Sequence, residues 1–70
     1  MSDESMAESL PREMARVRDE VMPAYREVGP NGSLALAFMT SDLDRAAKAL
    51  ADGNIVGMIH AYDSLKGYSV

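Results

Sequence analysis

The chain is 70 residues long and 47% hydrophobic, with 11 acidic and 7 basic side chains for a net charge of −4. That length makes one small domain, burying only about 60% of the surface its unfolded form exposes, and with no cysteine and one histidine neither disulfides nor a thiolate or multi-histidine metal site is available to staple it. The acidic balance argues against nucleic acid or an anionic membrane surface as a partner, since both are bound through clustered Lys and Arg, and no cofactor is expected.

Residues 1–8, "MSDESMAE", read as an acidic arm ahead of a single helical domain over 9–67, with 68–70 as a short C-terminal tail. The arm has no apolar segment of the kind a signal peptide needs. No stretch approaches the roughly 20 apolar residues of a transmembrane helix. A cytoplasmic protein is the expectation.

The first predicted helix starts near Ser9 or Leu10, with Ser9 as N-cap and Pro11 tolerated in the first turn. Its apolar positions are Leu10, Met14, Val17, Val21, Tyr25 and Val28, stepping by three and four as one helical face does. Pro23 falls inside the run, where it removes a hydrogen bond and crowds the carbonyl of Asp19. The apolar rhythm crosses Pro23 without a phase jump, which predicts one helix bent there rather than two. Gly29 and Pro30 then end it, through a left-handed cap and a turn.

Ser33 is the expected N-cap of a second helix from Leu34 to about Ala51, with Leu36, Met39, Leu43, Ala46, Ala47 and Leu50 on its core face. Thr40 and Ser41 offer a competing start, but the face stays in register across them. Asp52 and Gly53 close this helix, and Asn54 caps a third from Ile55 to Lys66. Its expected face is Ile55, Met58, Ile59, Tyr62 and Leu65, and Gly57 either permits a close crossing or is merely tolerated. The short connection makes the last two helices an antiparallel hairpin. The fold class is therefore all-α, a long kinked helix followed by a helical hairpin.

Leu34 and Phe38 do not fit that core face; at about 100° per residue they project from the opposite side of the second helix. Farther along, that side turns polar with Arg45, Lys48 and Asp52. Three helices have material to cover one flank of the second helix, so the expectation is a homodimeric bundle with Leu34, Phe38, Ala37 and Arg45 at the interface. A monomer whose own first helix or arm covers the patch is the competing arrangement, as is a foreign protein partner.

No motif names a reaction. His60 lies at the polar edge of the third helix with Asp63 three residues on, but no nucleophile or second carboxylate joins them. The paired acids Asp42/Asp44 and Asp19/Glu20 suit helix termini and solvated faces. Arg12 and Arg16 read as surface partners of Glu8 and Glu20. A DNA-reading role for the hairpin fails because "NIVGMIHAYDSLK" has no arginine. The reading is a non-enzymatic protein–protein interaction module that self-associates, of regulatory, adaptor or inhibitor type. The alternative is a small-molecule-binding or accessory enzyme subunit with a pocket among Tyr25, Tyr62 and His60.

Overall fold

The computed structural model describes residues 5–69. All of its regular structure is helical: α1 (Met6–Arg16), a π-helical turn (Val17–Val21), α2 (Met22–Glu27), a 3₁₀ turn (Gly29–Gly32), α3 (Ser33–Asp52) and α4 (Ile55–Lys66). α1, the π turn and α2 run on as one long N-terminal helix. α3 packs against this helix and against α4 in a bundle-like arrangement.

The long helix begins at Met6, earlier than Ser9. The sequence "SMAE" supplies the signal: Glu8 reaches back so that its carboxylate accepts from both the backbone N–H and the hydroxyl of Ser5, each at 3.2 Å. Residues 6–8 of the expected arm are thus helical, while 1–4 lie outside the described residues.

Pro23 leaves the helix unbroken but changes its winding. The N–H of Met22 donates to the carbonyl of Val17, five residues back. Widening the turn just ahead of the proline moves the Asp19 carbonyl away from the ring that would otherwise strike it. The extra residue also rotates everything after it. Leu10, Val17 and Val21 are buried as expected, but Met22 is turned into the core and Val28 out of it. The unbroken rhythm read from the sequence is therefore shifted in phase at the π turn.

Gly29 adopts φ +78°, the left-handed conformation that ends the helix. Gly32, not Ser33, is the residue ahead of α3, and no side chain caps that helix. A Cβ on Gly32 would sit 2.3 Å from the carbonyl oxygen of Tyr25, so the turn needs glycine because the backbone of α2 lies against it.

α3 is one helix across Thr40 and Ser41, and α4 has the expected bounds, capped by Asn54 Oδ1 accepting from Gly57 N–H at 3.0 Å. The faces are rotated from those read in the sequence. Ala47 is exposed, and Ala49 and Asp42 take its place inside; Ile55 and Ile59 are exposed, and Ala61 is buried beside Met58 and Leu65. The rotation turns the smallest side chains of the two helices toward each other. A Cβ on Gly57 would come 3.2 Å from that of Ala49, so Gly57 marks a close crossing, the first of the two readings. The rest of both expected faces meets the core: Met39, Ala46, Met58 and Leu65 are buried, and Leu36, Leu43, Leu50 and Tyr62 pack against them partly buried.

Residues 67–69 form a strap, and residue 70 of the expected tail lies outside the described residues. Arg16 feels the charge of Glu20, but its direct partners are others: it pairs with Glu13 at 2.7 Å and donates to the carbonyls of Leu65 at 3.1 Å and Tyr68 at 2.8 Å. Tyr25 donates its hydroxyl to the Ser69 carbonyl at 3.3 Å. Among the described residues no helix is long and apolar enough to cross a membrane.

Candidate interaction surface

The flank of α3 that faces away from the long helix divides into two parts. Along its second half α4 runs antiparallel, beginning with Gly57 against Ala49 and finishing with Tyr68 of the strap at Asp42. Leu34 and Phe38 lie two turns and one turn before Asp42, ahead of the point where the strap crosses. They are 68% and 56% exposed, and Ala37 beside them is exposed as well. The described chain puts nothing over this patch that would bury it.

At the boundary sits Asp42, a carboxylate only 5% exposed. One oxygen accepts the Tyr68 hydroxyl at 2.6 Å, and the other holds Arg45, one turn farther along α3. Burial, and then the hydrogen bond to Asp42, push the Tyr68 hydroxyl up to about 12. Asp42 had been assigned to a solvated face. A charged group inside needs partners for its oxygens, and the partner that permits burial comes from a residue 26 positions away, which no local pattern reveals. Arg45, the fourth residue expected at the interface, is tied to Asp42, with its own side chain two-thirds exposed.

The residues of the alternative pocket are not brought to one place. His60 lines an open groove of about 460 Å³ between α3 and α4, with Arg45, Lys48 and Ser64 also on its walls. Tyr25 lines a separate hollow of about 370 Å³ with Ala24, Val28 and Ser69. Tyr62 is half-buried, with the Lys66 ammonium 5.4 Å from its ring centroid. A second exposed apolar group, Ile55, Val56 and Ile59, opens α4; it was missed because two of its members were counted in the core. Among the described residues no three His, Asp or Glu side chains gather where they could hold a metal ion.

No protein family matches the chain, and no characterised protein or solved structure matches it.

Proposed function

We propose that the protein is a non-enzymatic interaction module, cytoplasmic, that works by protein–protein contact and associates with a second copy of itself through Leu34 and Phe38. The observation that supports this is the exposure of both side chains on a flank whose continuation is sealed by α4 and Tyr68. A second copy is the partner that fits best. The patch is apolar and uncharged, and a two-fold axis through it would cover each copy with the same residues. A domain this small also gains proportionately more from a partner than a larger one does.

The magnitudes point to a weak dimer. Full burial of a Leu or Phe contributes on the order of 1.5–3 kcal/mol, two copies supply four such side chains, and association costs about 4–15 kcal/mol. At the favourable end of that balance the dissociation constant is roughly micromolar to millimolar. Sedimentation equilibrium from about 10 μM to about 1 mM should give a mass rising toward twice the 7.6 kDa of one chain. Phe38→Asp should hold it at one chain, and Val56→Asp should leave the rise unchanged. A wild type that stays at one chain throughout, or a rise abolished by Val56→Asp and kept by Phe38→Asp, overturns the reading.

A further inference from the structure

The groove between α3 and α4 has an organisation that self-association does not use. Its floor is made of small residues, Ala49, Gly57 and Ala61, which open the space and give it an apolar base. Its walls carry Arg45, Lys48 and the acid Asp52 from α3, and Asn54, His60 and Ser64 from the other side. In a chain with 11 acidic residues and only 7 basic ones, two of the cations and the one histidine meet on this groove, with Asp52 the one acid on its walls. About 460 Å³ is the size of a small-molecule site.

Arg45 is more than an exposed cation. Asp42, buried beneath it, grips one guanidinium nitrogen, and Tyr68 occupies the other carboxylate oxygen at 2.6 Å. Both oxygens of the carboxylate are thus engaged, and Arg45, two-thirds exposed and lining the groove, keeps further N–H donors for a ligand. A buried carboxylate is costly to desolvate, and one return for that cost is a cation held in a fixed direction. Lys48 is paired only with Asp52, at 3.3 Å, both side chains well exposed. Such a pair is weak enough for a doubly charged anion to displace. A guanidinium paired with a buried carboxylate, a displaceable ammonium and a hydroxyl around an apolar floor fit a phosphate group carrying a small apolar body.

We infer that the α3–α4 groove binds a small phosphomonoester, with Arg45 and Lys48 contacting the phosphate and Asp42 and Tyr68 acting as positioning residues for Arg45. The groove lies beyond the Leu34 and Phe38 patch, so the inference stands apart from self-association.

Phenyl phosphate is the probe, followed by backbone amide shifts of the ¹⁵N-labelled full chain at low salt. Amides of Ala49, Gly57 and Ala61 should shift saturably, half-saturating at about 1 mM or below. Arg45→Gln and Lys48→Gln, both at exposed positions, should each weaken binding about tenfold or more, whereas Arg18→Gln, on the far helix, should leave it unchanged. Phe38→Asp should bind as the wild type does, whatever its oligomeric state. Tyr68→Phe should weaken binding and broaden the Arg45 Nε–H signal, the signature of a guanidinium no longer held. The inference is overturned by shifts still linear at about 20 mM, by benzoate or inorganic phosphate binding as tightly, or by equal losses in Arg18→Gln and Arg45→Gln.

Discussion

The two halves of α3 share one inner face and differ on the outer one. From Asp42 onward the outer flank meets α4 across alanine and glycine, and a tyrosine from the strap seals its near end. Before Asp42 the same flank carries a leucine and a phenylalanine open to solvent. The lengths account for the contrast: α3 has 20 residues and α4 has 12, so an antiparallel α4 can shield only part of its neighbour. Exposed apolar side chains are ordinary when scattered. Here they are adjacent, and they begin where the covering element stops.

The largest expected effect breaks what the halves have in common. Met39 is fully buried on the inner line, directly next to Phe38 in sequence. Met39→Ala should cost about 2–5 kcal/mol, enough to leave a domain with about 5 kcal/mol of stability close to unfolding in urea melts. Phe38→Ala, one residue away, should leave the urea midpoint of the dilute monomer almost unmoved. Gly32→Ala comes next, because its methyl would strike the Tyr25 carbonyl; about 1–3 kcal/mol should be lost, read by the same melts.

Tyr68→Phe tests the boundary between the halves. It removes only the hydroxyl and leaves one oxygen of a buried carboxylate without a partner, so a loss of about 1.5–3 kcal/mol is expected. The same contact gives a pH signature. The folded tyrosine holds its proton up to about 12, above the ordinary value of about 10. The folded state therefore keeps a proton that the unfolded state has lost between those values. Its contribution is complete below about pH 10 and disappears as the pH rises toward 12. Stability measured across that alkaline window should fall in the wild type, and the part owed to Tyr68 should be missing in Tyr68→Phe. The smallest effect sharpens the α4 side: Asn54→Ala removes the side-chain cap on Gly57 and should cost about 1 kcal/mol in thermal unfolding.

Much of this architecture is written locally. Gly29 and Gly53 stop helices in the left-handed conformation, Asn54 starts one, and steps of three and four mark the helices themselves. Those signals act within a few residues, and the helix count and the hairpin followed from them. The π turn is legible only in part: Pro23 announces a disturbance, but whether a helix breaks, bends or widens depends on what its next turns pack against. Asp42 was misplaced for a related reason, since its burial rests on the distant Tyr68. The α3–α4 seam was legible only in part: Gly57 suggested a close crossing, but Ala49 and Ala61 carry too little hydrophobic weight to stand out although they allow the closest approach. Leu34 and Phe38 were identifiable because they contradict the face on which the rest of α3 agrees.

The central claim, that the open half of α3 is covered by a second copy, is tested most directly by filtered nuclear Overhauser spectra of a mixed sample. Isotope-labelled and unlabelled chains are combined at about 1 mM, and only contacts between different copies are recorded. The account predicts cross-peaks from the Phe38 ring of one copy to the Leu34 methyls or Phe38 ring of another. A well-folded sample in which every contact of the Phe38 ring lies within its own chain would contradict it.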